Sequence, residues 1–227
     1  MTCFYYNNCN HKDCEQDFCQ KKFKLDFLYE KSLLSDHQRK RIELKLDSDK
    51  SDLEVFKFLS HIEQNIERFV NEGRNLFIHS PNCGNGKTSW SVRLMQAYFN
   101  QIWHKTPMQC RALFISVPRF LLAIKENITN KSEYLEKVIQ SVRVADLVIW
   151  DDIAAKTGTE YEINNLLSLI DSRLSLGKSN IFTSNLNGAE ISRALGDRLA
   201  SRICNMSVDV PFVGADKRVF ADFSSNQ

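Results

Sequence analysis

The sequence predicts an α/β fold built on a parallel sheet with crossover helices, and three observations carry that expectation. Short apolar runs recur at "NLFIHS" (75–80), "ALFISV" (112–117), "DLVIW" (146–150), "NIFTSN" (180–185) and "SVDVPF" (207–212), and stretches with helical apolar spacing lie between them. Of the 227 residues, 43% are apolar, enough for one sizeable core and a small appendage. Continuous apolar runs suit strands buried on both faces, and the intervening helices supply the crossovers that parallel strands need.

The elements follow in order. Residues 1 to about 20 are rich in Cys, Asn and Asp, with little apolar periodicity, and residues 21 to about 50 read as one or two short helices, including the charged "QRKRIELK". The Ser/Asp-rich "DSDKSD" then reads as a hinge, which divides the chain into a region 1–50 and a main domain 51–227. Ser51 and Glu54 match a capping box, and Leu53, Phe56, Leu59, Ile62, Ile66 and Phe69 keep helical spacing until Gly73. The expectation is one long amphipathic helix leading into the first strand.

That strand is followed by "SPNCGNGKTS", residues 80–89. A phosphate loop needs an anchoring strand, small residues that let backbone N–H groups turn inward, a lysine for the β- and γ-phosphates, and a hydroxyl for Mg²⁺. "NLFIHS" is the strand, Gly84 and Gly86 relax the backbone, Lys87 is the lysine and Thr88 the hydroxyl. Trp90, Leu94, Ala97 and Tyr98 continue as a helix, so phosphates would meet a helix N-terminus. Pro81 stands where such loops usually carry their first glycine; proline fixes φ near −65° and donates no hydrogen bond. The contacts are therefore expected to begin after it, with Cys83 to Thr88 carrying them and Pro81 and Asn82 forming the near rim, Asn85 lying between the two glycines.

About sixty residues on, "ADLVIWDDI" ends a buried run in Asp151 and Asp152. Asp151 is placed to hold Mg²⁺ with Thr88, and Asp152 to polarise an attacking water. Asn185, at the tip of the fourth run, either orients that water or caps the helix entered at "NGAEISRAL". In "LGDRLASRI", Arg198 and Arg202 share a helical face beside Leu195, Leu199 and Ile203, which can pack inward. An arginine so placed can reach the γ-phosphate of a neighbouring subunit.

The order "SPNCGNGKTS", "DLVIWDDIAA", "IFTSN", "GDRLASRI" and "VGADKR", over roughly residues 51 to 220, resembles the AAA+ ATPases, and within them the DnaC/DnaI-type replicative helicase loaders, phage-encoded versions included. The resemblance implies an AAA+ P-loop ATPase core with a five-stranded parallel sheet. It implies ATP and Mg²⁺ as cofactors and nucleotide-dependent self-association. By position, Lys87 and Thr88 match the Walker A pair, Asp151 and Asp152 the Walker B pair, Asn185 sensor 1, Arg202 the arginine finger and Arg218 the sensor 2 arginine. Three departures stand out: Pro81, the "DDIAAK" that replaces a usual "DDIG" and acidic residue, and the absence of a helical lid, since about fifteen residues follow the last run. The last departure itself resembles the loader branch.

Seven cysteines include Cys3, Cys9, Cys14 and Cys19 within the first nineteen residues. Four thiolates suit a tetrahedral structural Zn²⁺, His11 is an alternative ligand, and free thiols on an N-terminal tail are the simpler reading. The resemblance to DnaI-type loaders implies a zinc-bearing region, residues 1–50, that grips a hexameric replicative helicase. Single-stranded DNA is the other expected partner: in "PRFLLAIKENITNKSEYLEKVIQSVR", Arg119, Lys125 and Lys131 can meet phosphates and Phe120 can stack on a base, or the segment is an ordinary solvated helix. A net charge of +2 makes any basic surface local. No apolar run approaches the ~18 residues of a membrane span and no signal-peptide layout is present, so no membrane role and a cytoplasmic protein are expected. The activity implied is slow, assembly-stimulated ATP hydrolysis that loads a helicase onto single-stranded DNA. A helicase-sequestering protein without turnover, a transposition helper and a zinc-dependent DNA-binding module are the alternatives.

Overall fold

The computed structural model describes residues 19–40, 42–44, 51–105, 107–155 and 157–217. Two short helices come first, α1 (Gln20–Lys31) and α2 (Asp36–Arg39), followed by α3 (Leu53–Gln64) and α4 (Ile66–Asn71). The alternating body is β1 (Asn75–His79), α5 (Lys87–Ile102), β2 (Ala112–Ser116), α6 (Val117–Glu126), α7 (Glu133–Val144), β3 (Leu147–Asp151), α8 (Glu160–Ser175) and β4 (Ser179–Ser184). It ends with α9 (Gly188–Leu195), α10 (Asp197–Cys204) and β5 (Val208–Pro211).

The five strands form one sheet in the order β2-β3-β4-β1-β5, with every pair parallel. All five apolar runs identified in the sequence became these strands. Their side chains alternate between two cores. Leu76, Ile78, Leu147, Ile149, Ile181 and Val210 face a layer containing α1, α3, α4 and α5. Phe77, Leu113, Ile115, Val148, Trp150 and Phe182 face the layer of α6 to α10. Both faces of β1 to β4 are covered, which is why β1 to β3 read as nearly unbroken apolar runs, whereas β5 at the sheet edge buries only Val210 and alternates. At the β2 edge, the Phe114 N–H donates to Ser32 O (2.8 Å) just beyond α1, so that edge is partly met by backbone.

Three local expectations are corrected. The long entry helix breaks at Asn65 into α3 and α4, where the Asn65 side chain donates to His61 O (3.0 Å) and competes with the helical ladder. The Ser51/Glu54 capping box does not form: Asp52 is the N-cap without capping through its side chain, and Glu54 pairs with Lys57 instead. Among the described residues of the charged stretch "QRKRIELK", only Gln38 and Arg39 are helical, because the α2 capping box of Ser35 and Gln38 opens a single short turn and Lys40 is already extended. Gly73 stops α4 as expected. Its φ is +65°, and a Cβ there would lie 2.3 Å from Gly177 O, so no other residue fits without displacing backbone.

Beneath the sheet lies a buried arginine that sequence patterning passes over. Arg173 of α8 is fully buried, and donates to Val142 O (2.6 Å), Ala145 O (2.8 Å), Ser179 O (2.5 Å) and Asn180 Oδ1 (2.7 Å). Burial lowers its pKa to about 9, still above neutrality, so every N–H remains a donor. Asn180 passes the network on to the Trp150 indole and to Asn75. Arg173→Met keeps the stem but strands these acceptors, and is expected to cost about 3 kcal/mol in urea unfolding. A cost near zero would show that water replaces the guanidinium.

Candidate nucleotide site

The site is assembled at the C-terminal ends of β1, β3 and β4, where open α/β sheets place their ligands. Past β1 the pairing with β4 continues through Ser80 N–H to Ser184 O (3.2 Å), which fixes where the loop departs. Pro81 is exposed and is not among the residues with positive φ, so it fits its position without strain. The loop turns instead on Gly84 (φ +70°) and Gly86 (φ +104°). A Cβ built on Gly86 meets nothing within 4 Å, so that glycine serves backbone conformation and open space rather than packing. Gly86 is also the N-cap of the 16-residue α5, whose first turn carries no acidic side chain. An anion at this end meets the N–H groups of the first helical turn and the positive end of the helix dipole.

Lys87 is 6% exposed, and its Nζ donates to Asn82 O (2.8 Å) and Asn85 Oδ1 (3.2 Å). One residue on, Thr88 Oγ1 donates to Asp151 Oδ1 (2.8 Å). The two segments expected to share a metal, 63 positions apart in the chain, are therefore in direct contact. Thr183 Oγ1 donates to the same Asp151 oxygen (2.7 Å) and accepts from Asp152 N–H (3.0 Å). Asp152 holds φ +56° and Ala154 φ +66°, sparsely populated for side-chain-bearing residues. Two further bonds pin this loop to β4, Ile153 N–H to Thr183 O and Ser184 Oγ to Ile153 O, and Ala155 N–H donates to Asp152 O within the loop itself. Ala154 and Ala155 of "DDIAAK" thus sit in a tight turn fastened by the fourth strand.

Burial raises the Asp151 pKa, and the hydroxyls of Thr183 and Thr88 offset part of that rise. A carboxyl whose folded pKa is raised adds stability below its unfolded pKa and loses it as pH rises through the folded value. At neutral pH the Asp151 charge therefore costs the nucleotide-free protein stability. Asp151→Asn is expected to raise the melting temperature at pH 7 and to raise it less at about pH 4, because the charge is lost as pH falls through the raised folded pKa. Thermal melts at the two pH values check this; a lower melting temperature at pH 7 contradicts it.

Asn185 directly follows β4 and is half-buried, and the capping of α9 falls to Asn187, in a capping box with Glu190. The capping alternative for Asn185 is thereby removed. Leu195, Leu199 and Ile203 are buried as expected, leaving Arg198 and Arg202 exposed on the other face of α10. Arg202 Nε pairs with Asp171 of α8 and its side chain remains about half exposed (48%), available at the surface. Phe120 is corrected: it is 5% exposed and packs edge-on against Trp150, so it has no free face for a base. Arg119, Lys125 and Lys131 are exposed. Tyr134, which spacing did not distinguish from its neighbours, is 67% exposed and lines a groove of about 980 Å³ with Ser116, Arg119, Asn127 and Asp151.

Cys3, Cys9, His11, Cys14 and Arg218 lie outside the described residues. Cys19 is described: it is the N-cap of α1, where its Sγ accepts from Lys22 N–H (3.5 Å). Among the described residues no group of three or more His, Cys, Asp or Glu could hold a metal, and no helix is long and apolar enough to cross a membrane.

A glycine-turned loop capping a helix, a buried lysine followed by a half-buried threonine, an acidic strand end bonded to that threonine and a sheet ordered β2-β3-β4-β1-β5 define a P-loop ATPase core of the AAA+ kind. The comparison with family models places it more narrowly. Residues 39–209 match the bacterial DnaA ATPase domain, and the chain belongs to that family. The replicative helicase loader DnaC of Escherichia coli (strain K12) is 26% identical over 145 residues, 64% of this chain. The match spans 56% of that relative, little more than half its length. Among solved structures, DnaI superposes with a TM-score of 0.60 at 17% identity, covering 82% of this chain and 95% of that one. The replication initiator DnaA bound to AMPPCP and single-stranded DNA gives 0.54 at 20% identity, covering 71% of this chain and 46% of that one. The fold expected from the loader resemblance is thus borne out.

Proposed function

We propose that this chain is an ATP-dependent loader that places a replicative DNA helicase on single-stranded DNA. The observation that carries the reading is the joining of Lys87, Thr88, Asp151 and Thr183 at the N-terminus of α5 in a chain of the DnaA ATPase-domain family. Similarity to a DnaC loader and to DnaI directs the activity toward a helicase rather than toward origin DNA.

ATP is bound with its phosphates against the backbone N–H groups of Cys83 to Thr88, and Lys87 exchanges Asn82 O and Asn85 Oδ1 for phosphate oxygens. The residues fit Mg²⁺: Thr88 and Asp151 present adjacent oxygens in a half-buried position beside the open space at Gly86. The ion supplies neutralisation of the phosphate charge when bound. Thr183 keeps the Asp151 carboxylate aimed and holds the Asp152 backbone, so that Asp152 polarises the water that attacks the γ-phosphate in line. Asn185 orients that water. Arg202 completes the site of a neighbouring copy, exchanging Asp171 for the developing charge, and Arg218 adds a second cation. Hydrolysis is accordingly slow in the isolated chain and rises on assembly. Residues 1–50 form the helicase-docking region, with zinc held by Cys3, Cys9, Cys14 and Cys19 or with His11 in place of one thiolate. Single-stranded DNA follows the groove from Asp151 past Arg119, where Tyr134 offers the exposed ring for stacking.

ATPase rates with and without a replicative helicase and single-stranded DNA test the reading. Stimulation by both together is expected. Helicase binding with no hydrolysis under any condition would make the chain a sequestering protein instead.

A further inference from the structure

The segment after β5 is gripped from two sides. The carboxylate of Asp52 accepts from the N–H of Val213 (2.8 Å) with one oxygen and of Gly214 (3.0 Å) with the other. The carbonyls of the same two residues accept from Asn82 Nδ2 (3.2 and 3.1 Å), within the phosphate loop. Asn85 Nδ2, held chiefly by Ser80 Oγ (2.6 Å), reaches Gly214 O at 3.5 Å, and the Lys217 N–H donates to Gly84 O (3.0 Å). Residues 213–217 therefore form a strap whose peptide groups are shared between Asp52 and the phosphate loop.

Asp52 departs from its local role to do this. It is the N-cap of α3, where an aspartate normally accepts from its own helix, yet it makes no such bond and is 2% exposed. A local rule broken at a buried charged residue marks a place where another requirement prevails. The same loop asparagines meet Lys87, whose Nζ donates to Asn82 O and Asn85 Oδ1, so whatever draws Lys87 toward a ligand acts on residues that hold the strap.

We propose that Asp52 is a positioning residue for nucleotide binding, setting the 213–217 strap so that Asn82 and Asn85 hold the phosphate loop in its binding conformation. The inference rests on the nucleotide reading of that loop. Asp52 stands at the entry from residues 1–50, so a partner that shifts this entry also shifts nucleotide affinity, by the reciprocity of linked equilibria.

Equilibrium binding of a fluorescent ATP with Mg²⁺ to the full chain tests it. Asp52→Ala and Asn82→Ala are each expected to weaken binding about tenfold, and the double variant by no more than either alone, because both release one strap. Asp52→Asn, which keeps an acceptor for one N–H, serves where the alanine variant does not fold, with an expected loss of about threefold. Gly73→Ala, at the opposite end of β1, is the stability control: it lowers the melting temperature without changing affinity. Unaltered affinity in folded Asp52 variants, or losses that multiply in the double variant, would overturn the proposal. No ATP binding by the unaltered chain would overturn the nucleotide reading itself.

Discussion

Lys87→Ala is expected to reduce ATP turnover by about 10³-fold at any degree of assembly, while the protein remains folded. The side chain is 6% exposed and its ammonium is already poised at the mouth of the loop, 2.8 Å from Asn82 O and 3.2 Å from Asn85 Oδ1. The ammonium rests on neutral oxygens that phosphate oxygens can replace, and a charged acceptor binds it more strongly than a neutral one. Alanine removes the charge and leaves those oxygens facing a small void at the start of α5. Steady-state phosphate release together with direct nucleotide binding checks the prediction. Unchanged affinity and turnover would show that the loop binds nothing of this kind.

Arg202→Ala is expected to behave differently. Nucleotide binding by the dilute chain stays as it was, and hydrolysis in the assembled state falls about 10³-fold, the usual worth of an arginine supplied in trans. The structure supports this division: the guanidinium sits on α10, about half exposed, paired with Asp171 of the neighbouring helix and not with the loop of its own chain. A surface pair of this sort contributes little to folding, so the variant is a fair test of function rather than of stability. Concentration-dependent ATPase assays separate the two states. An equal loss in the monomer would place Arg202 outside the role proposed for it.

How much of this was legible in the sequence depended on whether the signal was local. The inner strands were, because burial on both faces leaves uninterrupted runs such as Leu147 to Trp150, while the edge strand β5 showed as the alternation of Val208 and Val210 around Asp209. The phosphate loop was, because Gly84, Gly86, Lys87 and Thr88 sit within five consecutive positions. Thr183 was not: a threonine in a buried strand is ordinary, and only the adjacency of β3 and β4 brings its hydroxyl to Asp151 and the Asp152 backbone. Asp52 escaped for the same reason. Its neighbours in sequence announce a helix cap, and its partners lie 161 and 162 residues away. Phe120 was misread because helical spacing does not say which layer lies beneath a helix; here Trp150 does. Arg173 was invisible as a core residue, since arginine is rarely buried and its acceptors come from two separate chain segments, 142–145 and 179–180. Asn65 broke an otherwise regular apolar period by a side-chain bond that pattern matching does not register.

Function was legible only as far as the catalytic constellation reaches. The same P-loop core serves many partners, and its constellation does not say which. The most direct test of the account is therefore transfer of a hexameric replicative helicase to closed circles of single-stranded DNA, which a ring must open or assemble around. With this chain and ATP, helicase is expected to remain on the circles through washing, and Lys87→Ala is expected to abolish the transfer. Helicase bound by the chain but never found on the circles would contradict it.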